Sequence, residues 1–114
     1  MKKKFHDAFR GLFLGFTDRS IRTQWILAFC AVIAGFLMKL EWMEWIAVII
    51  CIGSVIVTEM LNTCIERTCD MHTKEWNEEV KYIKDMAAGA VLAAAIASLI
   101  TALIILFRHI GGIR

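Results

Sequence analysis

The sequence predicts an all-α membrane protein: an amphipathic N-terminal helix lying in the membrane interface, then three transmembrane helices. Three observations carry this. Residues 25–38 and 86–107 carry no charge, and neither do residues 45–57. Hydrophobic residues make up 59% of the chain, well above the roughly 45–50% of soluble domains. Proline is absent, so nothing forces a break within a long helix.

The first helix is expected over about residues 2–20. Phe5, Phe9, Leu12, Phe13 and Phe16 recur at steps of three and four, with Lys2, Lys3, Lys4, His6, Asp7 and Arg10 among or opposite them. That is the pattern of a helix lying in the membrane surface. It has no continuous apolar core and no small-residue cleavage site, so it does not read as a cleaved signal. The first span is expected over about 21–40, long enough to cross roughly 30 Å of hydrocarbon at about 1.5 Å per residue. Lys39 to Trp45 form a short turn with interfacial tryptophans. The second span is expected over about 45–66 and the third over about 86–107. In the third, Ala87, Ala88, Gly89, Ala90, Ala94, Ala95 and Ala97 permit close helix packing. Residues 67–85 are the most charged part of the chain and belong in water or the interface. With 114 residues, the chain reads as one domain over 1–114.

Lysine and arginine set the orientation. Lys2, Lys3, Lys4, Arg10, Arg19 and Arg22 flank the first span, and Arg67, Lys74, Lys81 and Lys84 lie between the second and third. Three spans put both groups on one side, which the positive-inside rule makes cytoplasmic. Arg108 and Arg114 oppose this and are outnumbered. The net charge of +2, with no basic aromatic face, argues against a nucleic-acid partner. Cys64, Cys69 and His72 match no zinc spacing, and His72 and His109 are expected at the surface.

The chemistry is concentrated at one end of the second span. Glu59, Asn62, Glu66 and Asp70 stand at i, i+3, i+7 and i+11, within about 80° of one another on a helix. A charged side chain at membrane depth costs roughly 2.5–3.5 kcal/mol on insertion scales and marks a functional site. Lys84-Asp85 opens the third span and Asp18 precedes the first. Carboxylates from two helices can hold Mg²⁺, which prefers oxygen ligands and keeps substrate phosphates in its shell. A lysine can take phosphate charge. Together these are parts for phosphoryl transfer.

These residues resemble the small prokaryotic diacylglycerol kinase and undecaprenol kinase family. Residues 59–70, Glu-Met-Leu-Asn-Thr-Cys-Ile-Glu-Arg-Thr-Cys-Asp, match its ExLNTxIExxxD signature. Residues 84–92, Lys-Asp-Met-Ala-Ala-Gly-Ala-Val-Leu, match KDxAAGAVL, and Phe5, Ala8 and Gly11 match an FxxAxxG element. The resemblance covers essentially the whole chain, and the LNT and AAGAVL forms look more like the undecaprenol kinase branch. It implies ATP as phosphoryl donor, Mg²⁺, a membrane lipid alcohol (undecaprenol or diacylglycerol) as acceptor, a homotrimer with shared sites, and a bacterial cell membrane with the active site cytoplasmic. It implies Glu59 as catalytic base, Asn62 and Asp70 as orienting groups, and Asp18, Glu66, Glu75, Trp76, Asn77, Lys84 and Asp85 at ATP. Asp18 and Glu66 would serve the metal. The sequence departs from the family pattern at several positions. Asp18 stands for a glutamate, Ser20 for an asparagine and Gln24 for a histidine, while Trp76 and Asn77 replace tyrosine and histidine.

Two other classes remain at this stage. A small proton-coupled carrier would also place a glutamate in the membrane, but spans one and three offer no ionisable residue for a crossing pathway. A non-catalytic scaffold has no use for Glu59 and Glu66 on one face. Residue by residue, Glu59 could be a structural carboxylate, Asn62 a helix–helix clamp, and Asp85 a partner of the helix dipole.

Overall fold

A computed structural model describes residues 2–111, and these form four helices: α1 (Lys2–Thr17), α2 (Arg19–Met38), α3 (Trp42–His72) and α4 (Glu78–Gly111). The last three are long and apolar enough to cross a membrane. The all-α architecture and its element order are those expected from the sequence.

α3 and α4 are longer than the spans expected of them, while α2 has its expected length and begins two residues earlier. Loss of hydrophobicity marks where the lipid ends, whereas a helix ends where its backbone finds caps. α1 stops at Thr17 because Asp18 turns extended (φ −71°, ψ 131°) and caps α2, its carboxylate accepting from the Ser20 N–H at 3.0 Å. Such a cap is worth about 0.5–2 kcal/mol. α2 ends with Lys39 in the left-handed region (φ 56°). The Leu40 N–H reaches the Gly35 carbonyl and the Lys39 N–H that of Phe36, the Schellman pattern. Gly35 is required there, because a Cβ would come within 2.7 Å of the Trp45 ring. α3 runs on to His72, whose side chain is exposed as expected. α4 begins one residue after Asn77, whose side chain accepts from the Val80 N–H at 3.0 Å.

α3 is the central helix, with α2 and α4 against it. Between the three lies an apolar cleft of about 430 Å³ that includes Leu27, Ala31, Val55, Ile56 and Leu99, and no predicted site residue lines it. α1 folds back onto the start of α2. The Trp25 indole N–H donates to the Gly15 carbonyl at 3.3 Å, and its ring stacks on Phe16 with centroids 4.0 Å apart. Gly15 also lets α1 approach α3, since a Cβ there would meet the Met60 methyl at 2.9 Å. The phenylalanines of α1 point outward, as an interfacial helix requires.

At the end of the bundle away from Glu59, the structure corrects the surface placement of His109. Its side chain is only 11% exposed, and its Nε2 sits 3.0 Å from Glu44 Oε1. Glu44 is almost fully buried, accepts from the Glu41 N–H at 2.9 Å, and lies 3.5 Å from Arg108. This clamp joins the first turn of α3 to the last turns of α4. His109 is drawn inward because a buried carboxylate must be paired and hydrogen-bonded.

Candidate active site

α3 delivers the polar stripe as one face. Asn62 is buried, and its Nδ2 donates to Glu66 Oε1 at 2.8 Å. Its Oδ1 is buried with no hydrogen-bond partner. Glu59, half-buried, has no hydrogen-bond or ion-pair partner among the described residues, and it lies close enough to Glu66 to feel its charge. So two carboxylates and one unsatisfied amide oxygen share one helix face, and among the described residues neither carboxylate forms an ion pair. One turn further on, Asp70 takes Lys84 Nζ from α4 at 2.7 Å, and Lys84 is also within electrostatic range of Glu66.

Asp18 enters from the break between α1 and α2. Its Oδ1 accepts from the Ser20 N–H and from Ser20 Oγ at 2.7 Å, and its Oδ2 accepts from Arg67 at 2.9 Å. The Ser20 hydroxyl in turn meets Thr63 Oγ1 at 2.9 Å. The bonds from Ser20, with a smaller contribution from the Arg67 charge, hold the Asp18 carboxyl below its ordinary value of 3.8.

The remaining expected residues are more dispersed. Asp85 pairs with Lys81 within α4 at 2.8 Å rather than with the α3 face. Glu75 and Trp76 are exposed in the connection between α3 and α4, where the Glu75 N–H is held by Thr73 Oγ1 at 3.1 Å. Asn77 is engaged in capping α4. The structure therefore places Glu59, Asn62, Glu66 and Asp70 along α3, joins Lys84 of α4 to Asp70, ties Asp18 to Arg67 of the same helix, and leaves Glu75, Trp76 and Asp85 exposed. Sequence reading missed Arg67, Ser20 and Thr63. Asp18 followed by a helix carries a readable capping signal, but the bonds to Thr63 and Arg67 span 43 and 49 residues and leave no local trace.

The donor set suits Mg²⁺. All its candidate ligands are oxygens, and the orphaned Asn62 Oδ1 needs a donor or a cation. No group of three His, Cys, Asp or Glu among the described residues comes together to hold a metal ion by itself, so any ion here would need substrate phosphates and water in its shell. An open carboxylate site is what an ion that retains water and substrate phosphates uses.

Residues 6–106 match the model of the family described as prokaryotic diacylglycerol kinase. The chain belongs to this family. It is accordingly a membrane lipid kinase, an enzyme that transfers phosphate to a lipid alcohol. It is 38% identical over 104 residues to the undecaprenol kinase of Bacillus subtilis, covering 90% of this chain and 85% of that protein. It is 34% identical over 98 residues to a diacylglycerol kinase of Synechocystis, covering 84% of this chain and 56% of that one. With the Escherichia coli K12 diacylglycerol kinase it shares 29% identity over 94 residues, 82% of this chain and 77% of that protein. Membership makes ATP the expected phosphoryl donor, and it excludes the carrier and scaffold readings.

Proposed function

We propose that this lipid kinase phosphorylates undecaprenol at the cytoplasmic face of a bacterial cell membrane, drawing on ATP with Mg²⁺. The similarity to the Bacillus undecaprenol kinase, sustained over nine-tenths of the chain, carries the choice of lipid. Diacylglycerol is the second reading, supported by the names of the other relatives.

The division of labour follows from chemistry. Glu59, unpartnered and half-buried, accepts the proton of the lipid hydroxyl as its oxygen attacks the γ-phosphorus. The bond from the γ-phosphorus to the bridging oxygen breaks, ADP leaves, and a lipid monophosphate remains. In a loose transition state the alcohol's proton leaves late, so holding hydroxyl and phosphorus in line carries most of the rate. Lys84, steadied by Asp70, keeps donors available for phosphate oxygens. Mg²⁺ would be held by Glu66 and Asp18 and would neutralise phosphate charge. Asn62 orients Glu66. Glu75 and Trp76, exposed beside the site, meet the nucleotide, with Asn77 holding their connection and Asp85 supporting the same end of α4. The chain acts as one domain, and homotrimers complete the site between subunits. The many outward-facing apolar residues of α2, α3 and α4 suit both lipid and neighbouring protomers.

The deciding experiment offers undecaprenol, diacylglycerol and a lipid without a hydroxyl to the purified protein in bilayers with γ-labelled ATP. A kcat/KM at least about tenfold higher for undecaprenol supports the first reading. A reversed ratio selects the second, and label in neither lipid overturns both. Labelling of single cysteines in intact cells should find position 74 cytoplasmic and position 41 external; the opposite result would put the site out of reach of ATP.

A further inference from the structure

We infer that Arg67, Ser20 and Thr63 are positioning residues, which pin the break between α1 and α2 to the face of α3 that bears the reacting groups. The inference rests on the kinase reading. Two ties cross between the elements, and both converge on Asp18. Arg67 binds Asp18 Oδ2 at 2.9 Å, and Ser20 Oγ joins Asp18 Oδ1 at 2.7 Å to Thr63 Oγ1 at 2.9 Å. On α3 the anchor points are Thr63 and Arg67, one turn apart. Thr63 adjoins Asn62 and Arg67 adjoins Glu66, so each tie ends beside a residue of the candidate site. The two form a two-point mount, which fixes direction as well as distance.

The mount governs where α1 sits. Gly15 lies three residues before Asp18 and rests on Met60, which adjoins Glu59. Trp25, on α2, holds the Gly15 carbonyl and stacks on Phe16. The interfacial helix is thereby fixed beside Glu59 from two directions. Without the mount, α1 would keep the Trp25 bond to the Gly15 carbonyl and the stack on Phe16, which tie it to α2, but its only hold on α3 would be apolar contact such as Gly15 on Met60, which sets depth more than angle. A lipid hydroxyl presented at the membrane surface would then meet Glu59 over a wider range of geometries.

The ties act through alignment and not through nucleotide contact, so they should appear in kcat. The Arg67 side chain is 74% exposed, and exposed ion pairs are worth at most about 1 kcal/mol, or about fivefold in a population. Arg67→Gln should therefore lower kcat about three- to fivefold with KM for ATP within about twofold of wild type, and Arg67→Lys should restore most of the loss. Ser20→Ala and Thr63→Val, which cut the other tie, should act alike, and they carry the test should Arg67→Gln fail to assemble. The decisive measurement is a double-mutant cycle. Asp18→Ala, which also removes a proposed Mg²⁺ ligand, lowers turnover by itself. In that background Arg67→Gln should cause no further loss of the residual turnover and no further broadening of the distance between labels at positions 8 and 71. A spin-label distance between positions 8 and 71, in a cysteine-free background, should be narrow in the parent and broad in Arg67→Gln.

An unchanged kcat and distance in all three variants overturns the inference. So does a tenfold rise in KM for ATP at constant kcat, or a loss that persists in Asp18→Ala, either of which makes Arg67 a nucleotide contact. A wild-type protein that phosphorylates no lipid would instead defeat the kinase reading, and the spin-label distance would still judge the mount.

Discussion

Replacing Asn62 by leucine should separate stability from chemistry. Its Nδ2 donates to a carboxylate at 2.8 Å, a charge-assisted bond worth about 1.5–3 kcal/mol. Its Oδ1 is buried and unpartnered, which costs about 1–3 kcal/mol. Leucine has a similar outline and removes both, so the two effects offset each other and the unfolding free energy should move by less than about 1 kcal/mol. Activity should behave differently. Glu66 loses the donor that orients it, and losing a group that orients a metal ligand typically costs about 10–100-fold in metal affinity or activity. The assay pairs thermal unfolding in detergent with label transfer from γ-labelled ATP across a Mg²⁺ titration. Asn62→Leu should unfold at nearly the wild-type midpoint, need more Mg²⁺, and turn over about 10–100-fold more slowly. Wild-type activity in this variant would refute the role given to Asn62. Destabilisation beyond about 2 kcal/mol would show that Asn62 is a helix clamp, its oxygen satisfied in the folded protein.

Glu59→Gln retains shape but cannot take a proton, so kcat should fall about 10²–10⁴-fold with ATP affinity within a few-fold; weaker ATP binding at constant kcat would move the base elsewhere. Glu66→Gln should nearly abolish Mg²⁺-dependent turnover while the protein still inserts, and full activity would remove Glu66 from the metal. His109→Ala deprives the buried Glu44 of a partner at 3.0 Å and should lower stability by about 1.5–3 kcal/mol, read as an earlier unfolding midpoint with turnover preserved well below it. The Asp18 carboxyl is held below its ordinary 3.8, so its contribution is complete above that value and is lost as pH falls through the lower folded one. The distance between labels at positions 8 and 71 should therefore hold from pH 7 to about 5 and broaden only below about pH 4; broadening at pH 6 would implicate another group.

The helices are legible in this sequence because a bilayer penalises charge and unpaired backbone steeply. Residues 25–38, 45–57 and 86–107 have no charge, and a soluble fold would offer no comparable contrast. Helix ends were less legible. α3 continues from Val57 through Arg67 to His72 because its backbone bonds are indifferent to the lipid boundary, whereas α1 stops at Thr17 on a cap that the amphipathic pattern alone does not show. The α3 stripe could be read because Glu59, Asn62, Glu66 and Asp70 lie on one helix, where spacing dictates geometry. Lys84 was legible only as a motif, since its bond to Asp70 depends on how α4 packs against α3.

The Glu44–His109 pair shows where such reading stops. Sixty-five residues separate the partners; Glu44 alone looks like an ordinary charge beside the interfacial tryptophans, and His109 alone like a polar residue just past the end of an apolar span. The available signal was indirect. Glu44 follows Trp42 and precedes an uncharged run, so a helix starting there turns it toward a neighbour or toward lipid, and lipid is the costly option. A carboxylate in that position calls for a cation from another element. The third span ends in Arg108-His109, with its helix C-terminus favouring positive charge. The same end of α4 carries Arg108, which stands against the orientation expected from the positive residues. It lies 3.5 Å from Glu44 and 3.6 Å from Glu41, so part of its charge is balanced within the bundle. The clamp and the candidate site occupy opposite ends of α3, which leaves the polar residues near Glu59 free of any duty in closing the far end of the α3–α4 pair.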